Sequence, residues 1–211
     1  MIQDDWLNIL RKNRVIAVIR ASKMEQAWQM ANAVAAGGIR IIEITWNTHQ
    51  AAKLITLLRS KLPNCTIGTG TLLTLEELQK AVKVGCQFLF TPHTNYTMIQ
   101  RAKIAAVPII PGALSPTEIV TAWQAGASSV KIYPISTVGG INYIKSLQGP
   151  LGGIPLIPTG GVTLENAQRF IKAGAIAVGL SGKLFPKKLI IAQDWKGIAQ
   201  QVKVLVEQLS E

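Results

Sequence analysis

The segment Ala36-Gly37-Gly38-Ile39-Arg40-Ile41-Ile42-Glu43-Ile44-Thr45 decides the fold. Just before it, Met24-Ala36 carries apolar residues at helical spacing, and the Ala-Gly-Gly step puts glycine where a helix ends in the left-handed region. After it, Arg40-Thr45 is a short, β-branched run. It is apolar at successive positions, as in a parallel strand covered on both faces. The pattern reads helix, glycine stop, buried strand. Glu43 is a charge that such a strand does not need.

The same unit recurs along the chain. Strand-like runs fall at Val15-Ile19, Arg40-Thr45, Thr66-Gly70, Phe88-Thr91, Pro108-Pro111, Ser129-Tyr133, Pro155-Pro158 and Ile176-Gly179. Between them lie helical segments at Met24-Ala36, Thr48-Lys61, Leu75-Val84, Tyr96-Ile104, Pro116-Ala125, Ile141-Leu147 and Leu164-Ala173, and Asp194-Leu209 follows the last strand. Further Ala-Gly or Val-Gly steps at Val84-Gly85, Ala125-Gly126 and Ala173-Gly174 mark helix ends. Strand-helix alternation repeated eight times, at roughly 20 to 25 residues per unit, predicts an α/β protein with a closed (β/α)8 TIM barrel. Six or seven strands would instead suggest an open, doubly wound sheet. A short amphipathic N-terminal helix precedes strand one, at Met1-Arg14 around Trp6, Leu7, Ile9 and Leu10. The expected organisation is a single domain over residues 1–211.

Composition narrows the function classes. The chain has 211 residues, 48% hydrophobic and 16% charged, which suits a globular core rather than a disordered tract. The net charge of +11 invites a nucleic-acid reading. The basic residues are scattered, however, and the Arg11-Lys12-Asn13-Arg14 and Lys187-Lys188 clusters are not interleaved with aromatics, which favours a basic enzyme with anionic substrates. Cys65 and Cys86 lack metal or disulfide spacing, so a cytoplasmic setting is the expectation. The N-terminal segment lacks the apolar core of a signal peptide, and no run approaches the roughly 18 apolar residues of a membrane span.

In a barrel of this kind the chemistry sits at the C-terminal ends of the strands. Two opposite charges occupy otherwise apolar strands, Glu43 on strand two and Lys131 on strand six. Those strands are four apart in a ring of eight, so they face each other across the lumen. Side-chain alternation places Ser129, Lys131 and Tyr133 on one face of strand six and Val130 and Ile132 on the other, which sets the lysine inside. A buried salt bridge that merely fixes the core is one reading, although such pairs stabilise poorly after desolvation. The alternative is chemical. An unperturbed lysine is neutral in roughly one molecule in 2,500 at pH 7, and burial shifts lysines toward the free amine that attacks carbonyls. A carboxylate reached through a water or a substrate hydroxyl would then handle protons without locking the lysine as its counter-ion.

Strands seven and eight run into Pro158-Thr159-Gly160-Gly161-Val162 and Gly179-Leu180-Ser181-Gly182-Lys183. Glycines there let backbone N–H groups approach an oxyanion, and a short helix expected to start near Ser181 would point its positive end inward, at the usual place for phosphate in barrels.

Taken together, Val18-Ile19-Arg20-Ala21, Gly37 to Thr45, Ile67-Gly68-Thr69-Gly70-Thr71, Ile110-Pro111-Gly112, Val130-Lys131-Ile132-Tyr133-Pro134 and Pro158 to Val162 resemble the 2-keto-3-deoxy-6-phosphogluconate (KDPG) aldolase family. That family also covers 4-hydroxy-2-oxoglutarate and 6-phosphogalactonate aldolases. The resemblance spans nearly the whole chain. It implies a class I aldolase without cofactor or metal, which cleaves a phosphorylated 2-keto-3-deoxy sugar acid to pyruvate and glyceraldehyde 3-phosphate. It further implies a homotrimer with neither nucleic-acid nor membrane partners.

Residue by residue, the resemblance makes Lys131 the Schiff-base lysine and Glu43 the general acid/base. It assigns Thr71 to the substrate carboxylate and Pro92 and Tyr133 to the pocket wall, and counts Thr45 and Asn47 among the substrate-binding residues. Arg20, Thr159, Gly160, Gly161 and Ser181 fall to the phosphate. For Arg20 the further expectation is that an unpaired arginine in that mouth would be costly.

Two departures from the family pattern stand out. Asn47 occupies a place where some relatives carry an arginine, which leaves the galactonate epimer and 4-hydroxy-2-oxoglutarate as alternative substrates. Leu180 replaces a common glycine and is expected to alter how closely that loop backbone approaches the anion. A metal-dependent aldolase would need more ligands than His49, expected to open a helix, and His93, in the loop after strand four, provide. A phosphate-binding barrel isomerase, using Lys131 only as a charge, is the remaining enzymatic alternative.

Overall fold

A computed structural model describes residues 3–210. Its first strands and helices are α1 (Gln3–Asn13), β1 (Val15–Ile19), α2 (Met24–Ala36), β2 (Ile41–Thr45), α3 (Ala51–Lys61), β3 (Thr66–Gly70), α4 (Leu75–Lys83), β4 (Leu89–Phe90) and α5 (Tyr96–Ile104). The second half comprises β5 (Ile109–Ile110), β6 (Gly112–Ala113), α6 (Pro116–Gln124), β7 (Val130–Ile132), α7 (Ile141–Leu151), β8 (Leu156–Pro158), α8 (Ala167–Lys172), β9 (Val178–Leu180), α9 (Lys187–Ile191) and α10 (Trp195–Ser210). Of the expected N-terminal helix, Met1 and Ile2 lie outside the described residues, as does Glu211.

The strands are parallel and close on themselves. One ladder runs β5-β4-β3-β2-β1-β9 and a second runs β6-β7-β8. Pro111, which has no N–H to donate, separates β5 from β6 within what is otherwise one strand. The ring closes through a parallel bridge between Thr159 and Gly179. Counting β5 and β6 together gives the eight-stranded barrel that the sequence predicts, with β2 and β7 on opposite walls.

Helix ends follow the glycine pattern. After α2, Gly38 adopts φ 105°, its N–H bonds to Ala35 O and the Ile39 N–H reaches back to Val34 O. This is a Schellman motif, whose left-handed residue favours glycine. Gly85, Gly126 and Gly174 repeat it. Ala106 does so after α5 with φ 52°, without the glycine that would have marked it in the sequence. At helix starts, Thr74 with Glu77 and Ser115 with Glu118 form reciprocal capping boxes, and Pro116 fills the first turn of α6.

Several boundaries move. Residues 48–50 form a turn in which Gln50 is left-handed, so α3 begins at Ala51 and His49 stands before the helix rather than opening it. The chain turns at Thr163–Asn166, so α8 starts at Ala167, not Leu164. The short helix expected to start near Ser181 begins only at Lys187, as α9, because residues 182–185 form a turn first, and a one-turn 3-10 helix at Ile135–Val138 is an element that the sequence pattern does not mark.

Two apolar clusters fill the fold. The larger lies between the strands and the surrounding helices. The smaller fills the lower lumen with Trp6, Leu10, Ile16, Ile41, Phe88, Phe90, Ile110, Ile157 and Ala177. There α1 plugs the barrel, since Trp6 and Leu10 are fully buried and the Trp6 Nε1–H donates to Ser129 Oγ at 3.2 Å.

Candidate active site

Strand alternation carries the inward positions upward from that floor. On β2 the step runs from Ile41 to Glu43, and on the opposite wall from Ser129, just before β7, to Lys131 within it. Register puts Gly68 beside Glu43 and Gly112 beside Lys131, so each charge has an empty neighbour on one side. Gly70 is tighter still: a Cβ there would overlap Glu43 Oε1. Gly179 likewise leaves room for Thr159, whose Oγ1 would collide with an added Cβ.

Glu43 is 1% exposed and Lys131 is 6% exposed. No ion pair joins them, and Glu43 Oε1 is the one buried side-chain polar atom left without a hydrogen-bond partner among the described residues. Burial raises the Glu43 carboxyl above its ordinary 4.5, while the charges of Lys131 and then Arg20 act in the opposite direction. The salt-bridge reading therefore fails in this geometry. What remains is a carboxyl with an unused oxygen and a lysine amine that face one cavity. Lys131 Nζ lies over two aromatic rings, Tyr133 at 4.9 Å and Phe90 at 5.4 Å from their centroids.

That cavity has a volume of about 520 Å³ and opens at the C-terminal ends of the strands. Lys131, Glu43, Thr71, Pro92, Tyr133, Arg20, Thr159, Gly160, Gly161 and Ser181 all line it. Thr45 and Asn47 do not. Thr45 is buried with its hydroxyl 3.1 Å from that of Thr48, and Asn47 is exposed on the turn above. Thr71 holds a left-handed φ of 62°, an unusual conformation for a β-branched residue and of the kind that accumulates at binding sites.

Arg20 donates to Thr71 Oγ1 at 3.5 Å. It is exposed at the mouth rather than buried, so water solvates it and the expected cost of leaving it unpaired does not arise.

The two glycine loops meet at one end of the cavity. Gly160 and Gly161 have φ of 78° and 106°, and a Cβ on Gly161 would collide with Ser136. Among the described residues, the N–H groups of Gly161, Val162, Gly182 and Lys183 donate to no backbone or side-chain acceptor. Four unclaimed donors around one end of a cavity suit an anion. Leu180, expected to change this loop, belongs to β9 and points into the core between strands and helices. Its side chain therefore leaves the anion end unobstructed.

Val18, Val162 and Lys183, to which the sequence assigns no role, also line the cavity, as do Gly179 and Gly182 of the loop expected to approach an anion. Period-two alternation from Arg20 and Ser181 would have found Val18 and Gly179. Phe90 carries no signal in the sequence beyond its place in strand four.

A family model described as "Aldolase: KDPG and KHG aldolase" matches residues 7–201. The chain belongs to the KDPG and KHG aldolase family. Within this family, a 2-dehydro-3-deoxy-phosphogluconate aldolase of Treponema pallidum is 34% identical, over 90% of each chain. A crystal structure of the Legionella pneumophila KDPG aldolase, with pyruvate captured as a covalent carbinolamine, superposes with a TM-score of 0.86 at 27% identity, covering 94% of this chain and 97% of that one. A native KDPGal structure matches with a TM-score of 0.84 at 32% identity, covering 93% and 94%.

The histidines stand apart from the cavity of this aldolase-family barrel. His49 is exposed and close to Gln50, and His93 is half-buried beyond Pro92. Among the described residues no three His, Cys, Asp or Glu side chains converge as a metal site, and no helix is long and apolar enough to cross a membrane.

Proposed function

We propose that this chain is a class I aldolase that cleaves 2-keto-3-deoxy-6-phosphogluconate to pyruvate and glyceraldehyde 3-phosphate, with Lys131 as the nucleophile and Glu43 as the acid/base. The observation that carries this reading is the unpaired meeting of the two groups in one cavity. A neutral Lys131 amine adds to the C2 ketone, and loss of water from the carbinolamine gives an iminium. The C3–C4 bonding pair then flows into that sink as Glu43 takes the C4 hydroxyl proton, releasing the aldehyde and leaving an enamine. Protonation at C3 and hydrolysis return pyruvate and the amine. A carboxyl raised by burial suits this two-way traffic, because it lies closer to neutrality than a free glutamate.

Arg20 at the mouth and the unclaimed N–H groups of the two glycine loops are suited to the substrate phosphate. Thr71 beside Arg20 and the wall formed by Pro92 and Tyr133 suit the pyruvate half. Thr45 and Asn47 act from outside the cavity, through the turn that follows β2. The assembly we infer is a cytoplasmic homotrimer built from one domain per chain, checked by light scattering on the purified protein.

Incubation with pyruvate and borohydride should add one reduced pyruvyl group, mapped by peptide mass to Lys131. Lys131→Met should abolish both labelling and cleavage. A protein that stays unlabelled while it cleaves the substrate would overturn the reading. Exposed Asn47, with no charge to offer, favours a test of the galactonate epimer as second substrate. Cleavage rates on the two epimers decide which is preferred.

A further inference from the structure

Schiff-base chemistry places a positive charge on the lysine nitrogen at the iminium stage, yet no carboxylate pairs with Lys131. Aromatic rings stand in that place. Phe90 is 1% exposed, points inward from β4 beneath the cavity, and carries Lys131 Nζ over its ring at 5.4 Å from the centroid. Tyr133 offers a second ring at 4.9 Å. Phe90 is itself held from below. Its ring meets Phe88 edge-on at 5.7 Å, and Phe88 stacks on Trp6 of the N-terminal plug at 5.1 Å. The ring cannot tilt away unless the floor of the barrel moves with it.

Resting on the Schiff-base reading above, we infer that Phe90 is a positioning residue whose ring stabilises the cationic iminium on Lys131 in place of a counter-ion. A leucine would fill the same space. Only an aromatic ring supplies the negative face that attracts a cation within about 6 Å. A carboxylate at this position would also hold the charge, but it would tie up the amine as an ion pair before substrate arrived. The ring discriminates between states that differ in charge: it favours the iminium over the neutral carbinolamine before it and the neutral enamine after it.

That difference defines the test. In the full-length protein, Phe90 is replaced by 4-fluoro-, 3,4-difluoro- and 3,4,5-trifluorophenylalanine, which keep the shape while withdrawing charge from the ring face. At saturating pyruvate, the rate of borohydride reduction to the pyruvyl-Lys131 adduct reports the iminium. It should fall stepwise along the series, by roughly threefold to tenfold at the end. Deuterium exchange into the pyruvate methyl group, counted per iminium formed, should rise, because the cation gives up its proton more readily. Phe90→Tyr should behave as native and Phe90→Leu, if it folds, as the trifluoro variant.

Reduction rates that stay flat along the series overturn the inference and leave the aldolase reading intact. So does a parallel loss of reduction and exchange, which is what a merely misplaced lysine would give. Native protein that never labels Lys131 removes the aldolase reading and this inference with it.

Discussion

The lower and upper halves of the lumen are built on the same strands, one inward step apart, and differ in almost every property. Below, Ile41, Phe88 and Ile157 pack against Trp6 and Leu10 in a sealed apolar floor. One step up, β2 offers Glu43, β7 offers Lys131 and β8 leads to Thr159, around a cavity that opens outward. The difference shows what permits two ionisable groups inside a barrel. Gly70 leaves room for the Glu43 carboxylate, Gly68 lets Phe88 pack beneath it and Gly179 admits Thr159, while a rigid floor supports both groups from below. Substitutions in the upper half should therefore change chemistry more than folding, and those in the floor the reverse.

Glu43→Gln should break the upper half most sharply. Removing the proton acceptor should lower cleavage by about 10²- to 10⁴-fold in an assay of pyruvate release. Stability should move the other way. The folded carboxyl lies above its ordinary 4.5, so near that pH the native state binds more protons than the unfolded chain. Its favourable contribution is complete below pH 4.5 and is lost as pH rises through the folded value. The variant should therefore melt above the native protein at neutral pH, with the gap closing in acid. A gap that does not vary with pH would show that burial does not perturb Glu43.

Gly70→Ala tests whether the empty positions matter. Its Cβ would overlap Glu43 Oε1 and sit 3.0 Å from Phe90 Cβ, so the carboxylate must shift. Displacements of about 1 Å cost on the order of 100-fold in rate. Native kinetics in this variant would mean that Glu43 swings freely and that the glycine serves only packing.

How legible these halves were in the sequence follows from the same geometry. Ladder order and strand facing come from short-range rules, so the barrel, Glu43 opposite Lys131, and the two glycine loops could be read from period and spacing. The left-handed turn at Ala106 carries no glycine, and α9 is only five residues long, so periodicity marks neither that turn nor the residue at which the short helix after strand eight begins. Thr45 ends strand two and Asn47 follows it nearly as closely as Thr71 follows strand three, yet both stand outside the cavity. The backbone direction after the last ladder bond decides this, and spacing does not encode it. Phe90 reads as core in any sequence, because its ring acquires a second meaning only once Lys131 is seen above it.

The smallest expected effect lies at the entry to β7, where Ser129 just before the strand and Lys131 within it are two residues apart. Ser129 is fully buried in the floor and accepts the Trp6 Nε1–H at 3.2 Å. Ser129→Ala would leave that indole donor without a partner, at a cost of about 1–3 kcal/mol in urea unfolding. Lys131 lies one step higher, so cleavage measured well below the melting temperature should keep its native order of magnitude. If the rate falls in proportion to stability, floor and mouth form one cooperative unit, and the division between them is only a description of polarity. If stability alone falls, one short stretch of chain carries two separable tasks within two residues: anchoring the plug below and presenting the amine above.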